Sequence, residues 1–301
     1  MMSNSKLNKT IVATLLARQW DEARVAAFWQ SARQAGMTVE PDEVTALAGT
    51  GLTMQRARAT GEPSPEARAT LRLAAEHDGL DLFAESEELF HTPRRLFAFD
   101  MDSTLIQAEV VDELAALAGV KTQVSAITES AMRGEIDFPT SLTRRVSLLK
   151  GIPAEKLGLL QQTIKLGDGL ERLMAGLKAR GCRTAILSGG FTFFGSYLQQ
   201  RMGFDYLCAN ELEIANGVLT GRLASAIVDG PRKALELKNY AVREGIPLAE
   251  AVAAGDGAND LPMLAAAGTG VAYHAKPVVR AAAAFRVQHC GLDALLHFLH
   301  R

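Results

Sequence analysis

Three short, mostly apolar runs stand out along the chain, each ending abruptly on a polar cluster. Leu96-Phe97-Ala98-Phe99 stops at Asp100, Thr184-Ala185-Ile186-Leu187 at Ser188-Gly189-Gly190, and Ala251-Val252-Ala253-Ala254 at Gly255-Asp256-Gly257. Unbroken apolar runs of this length suit strands covered on both faces, and a helical pattern follows each one. Repeated strand-to-helix units predict an α/β fold with a doubly wound, Rossmann-like parallel sheet, whose ligands collect at the carboxyl ends of the strands. The three polar clusters are therefore expected to converge.

Residues 1–90 have a different texture. Thr10 to Ala17, rich in β-branched residues, predicts a strand, and Asp21 to Ala35 and Pro65 to His77 predict helices, with Gly49, Gly51 and the Gly61-Glu62-Pro63 turn between them. This reads as a small N-terminal α+β domain. A regulatory role is expected for it from a weak similarity to amino-acid-sensing modules, although no pattern in it marks a ligand site. Lys6 and Lys9 ahead of the apolar run imitate the start of a signal peptide, but the run suits a strand better.

Residues 91–301 are predicted as the second domain. Between about 110 and 165 polar and apolar residues alternate at helical spacing, broken at Gly151-Ile152-Pro153, which predicts a helical cap inserted after the first strand. Asn216-Gly217 between Leu212-Glu213-Ile214 and Val218-Leu219-Thr220 predicts a hairpin decorating the sheet.

Composition narrows the partners. The chain has 301 residues, 48% of them hydrophobic, enough for two packed domains. With 32 Lys and Arg against 34 Asp and Glu, the formal charge of -2 offers no long-range attraction for nucleic acid or an acidic membrane, so a small substrate is expected. Cys182, Cys208 and Cys290 are odd in number and widely spaced, which points to a reducing, cytoplasmic setting. The apolar stretch Leu261 to Tyr273, interrupted by Pro262, falls short of the ~18 residues of a membrane span.

Four clusters carry candidate chemistry. In Asp100-Met101-Asp102-Ser103-Thr104 the two carboxylates are two residues apart on an extended strand exit, so both can address one phosphorus atom and its bridging oxygen. A calcium loop is excluded, because Thr104-Leu105 stands where a further ligand and a glycine are needed. Ser188-Gly189-Gly190 offers a hydroxyl and unobstructed amides to phosphoryl oxygens. A neutralising cation is needed, and Arg232, Lys233 and Lys238 are all candidates. Gly255-Asp256-Gly257-Ala258-Asn259-Asp260 puts two carboxylates and an amide in a tight turn, hard oxygen ligands of the kind magnesium favours. Taken singly, each cluster also reads as a solvated turn or an ordinary surface lysine.

Together, in this order, the clusters resemble the haloacid dehalogenase (HAD) superfamily and within it the phosphoserine phosphatases, from about Leu96 to His297. Glu109-Val110-Val111-Asp112-Glu113-Leu114, Met132-Arg133-Gly134-Glu135, Arg145-Val146 and His274-Ala275-Lys276-Pro277 share the likeness. The resemblance implies hydrolysis of O-phosphoserine to serine and phosphate, the last step of serine biosynthesis, through an aspartyl phosphate. It makes Asp100 the nucleophile and Asp102 the general acid and base. Ser188 and the Gly189 amide would hold the phosphoryl group, and the neutralising lysine falls on Lys233. Mg2+ would be held by Asp100, the Asp102 backbone carbonyl and Asp256, with Asn259 and Asp260 completing or orienting the site. Glu109 would take the substrate ammonium group and Arg145 its carboxylate, with Met132 and Phe138 as an apolar cover. A homodimer is a family-level expectation.

Three other readings compete. A related enzyme could act on phosphothreonine or another small phosphomonoester, or pass the phosphoryl group to a second alcohol. Dehalogenases and cation pumps keep the first aspartate but not usually the second, which Asp102 supplies here. A noncatalytic amino-acid sensor should have lost a motif, and all are present.

Overall fold

The computed structural model describes residues 10–299, apart from the side chain of Met132, so the predicted apolar-cover role of Met132 lies outside the described residues. Five strands form the first sheet: β1 (Thr10–Ala17), β2 (Thr38–Pro41), β3 (Thr45–Leu47), β4 (Leu52–Thr60) and β5 (Asp81–Ser86). The order is β2-β4-β1-β5, with β3 also on β4, and every pairing is antiparallel. Helices Glu22–Gln34 and Pro65–His77 pack on it through Phe28, Trp29 and Leu71, sharing a core with Leu15 and Ala57. Asp21 caps the first helix and Ser64 the second, matching the polar residues that precede each apolar pattern.

The second sheet is wholly parallel. It contains β6 (Leu96–Phe99), β7 (Arg183–Phe191), β8 (Tyr206–Asn210), β11 (Ala251–Gly255), β12 (Thr269–Tyr273) and β13 (Phe285–Val287), in the order β13-β12-β11-β6-β7-β8. All four residues of β6 are completely buried, as a central strand with helices on both faces requires. Truncating Phe97 or Phe99 to alanine would cost about 3–5 kcal/mol. Strand order reverses around β6, between β11 and β7, and such a switch point opens a crevice at the strands' carboxyl ends.

Two details differ from the sequence expectation. Ser188-Gly189-Gly190 lies inside β7, where the pairing with β8 shifts register between Leu187 and Phe191. The small residues continue the strand through an irregularity instead of ending it. The hairpin β9 (Leu212–Ala215) and β10 (Val218–Leu223) turns at Asn216 and Gly217, both at positive φ, but it joins the cap and not the sheet. Gly151 N–H donates to Leu219 O and Leu219 N–H to Ile152 O. The cap's helices run over Val110–Leu117, Lys121–Met132, Phe138–Ser147 and Leu157–Thr163, and Leu114, Val124, Leu142 and Leu160 are buried in its interior.

The two sheets meet at β5 and β13. Phe83 stacks on Phe285 and meets Phe298 edge-on, and a buried Arg94–Glu85 ion pair ties β5 to the segment that leads into β6. Among the described residues no helix is long and apolar enough to cross a membrane.

Candidate active site

Asp100 leaves the end of β6 with its N–H still donating to Ala254 O, so the neighbouring strand fixes where its side chain begins. Met101–Leu105 then forms a tight turn in which Ser103 has a φ of 57°, a left-handed conformation that costs a non-glycine residue energy. The Ser103 hydroxyl lies 2.8 Å from Glu109 Oε1 and donates to it, so the strained residue orients a carboxylate six positions on.

Lys233 arrives from helix Gly230–Glu244. Asp229 caps that helix, accepting from the Arg232 amide, and Pro231 stiffens its first turn. The buried face carries Lys233, Ala234, Leu237 and Ala241, leaving Arg232 and Lys238 exposed. Of the three candidate cations only Lys233 enters the crevice. Its Nζ donates to Asp100 Oδ1 at 2.7 Å and to Asp260 Oδ1 at 2.6 Å. Burial works against the ammonium, but the two carboxylates outweigh it and raise its pKa.

Behind β11, Asp260 Oδ2 accepts the Gly257 amide at 3.0 Å, so both of its oxygens are occupied. A Cβ at Gly255 would meet Asp260 Oδ2 at 2.4 Å, which is why glycine stands there. Single carboxylate oxygens of Asp100, Asp256 and Asp260 lie within 4.8 Å of one another. Burial, then Asp100, raise Asp256 to about 7 and Asp260 to about 6. Three buried carboxylates facing one buried lysine leave negative charge uncompensated, and the oxygen donors suit a hard divalent cation. The residues present therefore fit a metal site.

Burial first, then Glu109 and Asp100, raise the pKa of Asp102 well above the usual carboxylate range, and its Oδ1 is buried without a hydrogen-bond partner. A carboxyl whose pKa is raised in this way is suited to proton donation. A Cβ at Gly190 would meet Asp102 Oδ2 at 2.9 Å and Ser188 Oγ at 3.1 Å, and a Cβ at Gly189 would meet the Phe138 ring at 2.6 Å. The glycines thus let the cap and both polar groups close on one point. The Gly190 amide also donates to Ser188 Oγ at 2.8 Å.

Arg145, 8% exposed, comes from cap helix Phe138–Ser147 with its Nε unpartnered. Burial lowers its pKa, opposed by Glu109, Asp112 and Asp102. Burial raises the pKa of Glu109. Asn259 is half-buried beside Gly257. The structure thus brings together Asp100, Asp102, Ser188, Gly189, Lys233, Asp256, Asp260, Glu109, Arg145 and Phe138.

Of two further neighbours, Asn210 carried no signal in the sequence, whereas Lys276 lies in a segment that shares the family likeness without a role of its own. Asn210, fully buried at the end of β8, donates from Nδ2 to Gly189 O at 2.8 Å and accepts the Val228 amide at 2.8 Å, bracing the glycine strand. Lys276 Nζ lies 3.7 Å from Asp256 Oδ2, although Lys276 is half-exposed.

Residues 97–265 match the family described as haloacid dehalogenase-like hydrolase. The chain belongs to that family. A phosphoserine phosphatase of Archaeoglobus fulgidus is 47% identical over 215 residues, 71% of this chain and 62% of that protein, so the chain spans about three fifths of this curated relative's length. A HAD family hydrolase from Salmonella enterica subsp. enterica serovar Typhi superposes with a TM-score of 0.87 at 34% identity, covering 96% of this chain and 98% of that one. A probable phosphoserine phosphatase from Vibrio cholerae superposes with a TM-score of 0.80 at 35% identity, covering 96% and 86%. The crevice at β6, β7 and β11 lies within the matched HAD segment, except for the flanking Lys276.

Proposed function

We propose that this HAD hydrolase is a Mg2+-dependent phosphoserine phosphatase, hydrolysing O-phosphoserine to serine and phosphate through an aspartyl phosphate on Asp100. The observation that carries the substrate class is Arg145, a buried guanidinium with an unpartnered Nε that has Glu109 among its charged neighbours beside Asp102. Opposite charges side by side, next to a phosphoryl-transfer centre, suit the carboxylate and ammonium groups of an amino acid. The likeness to phosphoserine phosphatases supports the same reading.

In this reading Ser188, the Gly189 amide and Lys233 hold the phosphoryl oxygens. Asp100 attacks phosphorus, and the P–O bond to serine breaks as protonated Asp102 donates to the departing oxygen. Asp102, now ionised, takes a proton from the water that attacks phosphorus and releases Asp100 with inorganic phosphate. Asp100, Asp256 and the Asp102 backbone carbonyl would hold Mg2+, while Asp260 keeps Lys233 and the Gly257 turn in place. When bound, the ion supplies positive charge to neutralise the nonbridging oxygens. Phe138 covers the site from the cap and limits water.

We place the domain boundary near residue 90 and the protein in the cytoplasm, where its three unpaired cysteines are at home. The test is phosphate release from O-phosphoserine with and without Mg2+, beside phosphothreonine and an aryl phosphate. Metal-dependent release that favours phosphoserine is expected. Equal rates on all three esters would refute the amino-acid assignment.

A further inference from the structure

We propose that Asp81, in the N-terminal sheet, is a positioning residue for the Asp256 side of the active site, acting through residues 287–290 and His274. Asp81 is 2% exposed at the start of β5. Its Oδ1 accepts the amides of Gln288 at 2.7 Å and His289 at 3.3 Å, and its Oδ2 those of Cys290 at 2.8 Å and His289 at 3.3 Å. Three consecutive amides converging on one carboxylate fix the segment's path, because each would otherwise be a poorly satisfied donor.

The other side of this segment is held by His274. The His274 amide donates to Val287 O at 2.8 Å, and its Nε2 lies 3.0 Å from Cys290 O. A carbonyl can only accept, so Nε2 carries the proton. His274 has a φ of 43°, a conformation that persists only where its surroundings impose it. Two residues on, the Lys276 amide donates to Asp256 O at 3.0 Å and Lys276 Nζ lies 3.7 Å from Asp256 Oδ2. An unbroken series of contacts thus runs from the N-terminal sheet to a carboxylate of the metal cluster. The N-terminal sheet thereby braces, from behind, the segment that meets Asp256.

This inference rests on the proposed function only in making Asp256 a metal ligand. The full-length protein, Asp81→Asn, His274→Ala, the double variant and Arg18→Ala are compared by calorimetric titration with Mg2+ in the absence of substrate, and by KM for phosphoserine at saturating metal. Asparagine is isosteric but presents an NH2 to amides that need an acceptor. Arg18, paired with Asp168 and near Asp293 across the domain junction, controls for general loosening.

We expect Asp81→Asn and His274→Ala each to weaken Mg2+ binding by roughly tenfold, the lower end for residues behind metal ligands. The double variant should be no weaker than the worse single variant, Arg18→Ala should match the wild type, and KM at saturating metal should hold. Unchanged Mg2+ binding in both single variants, multiplied losses in the double variant, or an equal loss in Arg18→Ala would each overturn the inference. Should Asp81→Asn fail to fold, exposed His274 still decides, since normal binding in His274→Ala overturns it. A wild type that binds no Mg2+ overturns the proposed function and this inference together, whereas normal wild-type binding with unaffected variants overturns the inference alone.

Discussion

The ammonium of Lys233 lies 2.7 Å from Asp100 Oδ1, fully buried at the junction of a helix N-terminus and a central strand. A second bond from Nζ to Asp260 Oδ1 ties the end of β6 to the turn that follows β11.

Lys233→Met should remove turnover and also unfold more easily, because Asp100 and Asp260 would be left buried without their counter-ion. A loss of about 3–5 kcal/mol is expected from urea unfolding of the metal-free protein. Added Mg2+ should recover part of it. A variant as stable as the wild type would show that the lysine is not neutralising the cluster.

The acidic cluster makes stability depend on both pH and metal. Asp256 at about 7 and Asp260 at about 6 sit above the unfolded carboxyl value of about 4. Between about pH 4 and 7 the folded, metal-free protein therefore holds more protons than the unfolded chain, and these groups lower stability as pH rises through that window. A cation binds the deprotonated form, so the Mg2+-induced rise in Tm should be larger near pH 8 than near pH 5.5. Equal rises in thermal melts at the two values would contradict the coupling.

Gly190→Ala puts a Cβ 2.7 Å from Met101 Cε and 2.9 Å from Asp102 Oδ2. The displaced carboxyl should lower kcat by roughly a hundredfold, the scale set by a misplacement of about 1 Å, while far-UV circular dichroism stays unchanged. Near-normal kcat would mean that Asp102 tolerates relocation and is not the proton donor.

Arg145→Ala should raise KM for phosphoserine by tenfold or more, about 1.4 kcal/mol of lost binding, and leave an aryl phosphate nearly unaffected. Parallel changes for the two esters would remove Arg145 from carboxylate recognition.

Much of this site was legible because its chemistry sits at the ends of apolar runs. Leu96–Phe99 could hardly be anything but a covered strand, and its abrupt stop at Asp100 marked the crevice. Choosing Lys233 over Arg232 and Lys238 required either the family likeness or the helix phase, since a lysine in isolation is usually solvated. Asn210 was invisible because one asparagine at a strand end has no periodic signature; only the Gly189 carbonyl above it gives it meaning. The same holds for Asp81, whose partners lie about two hundred residues away in the sequence. The hairpin was recognisable from Asn216-Gly217, but its seat on the cap depends on Gly151 and Ile152, a tertiary pairing that local turn chemistry does not encode.

Turnover through Asp100 requires that phosphate become covalently attached to its carboxylate. Rapid acid quench of the Mg2+-loaded protein mixed with phosphate-labelled O-phosphoserine should trap an acyl phosphate that peptide mapping places on Asp100, and Asp100→Asn should trap none. Label on another residue, or rapid phosphate release by Asp100→Asn, would exclude Asp100 as the nucleophile.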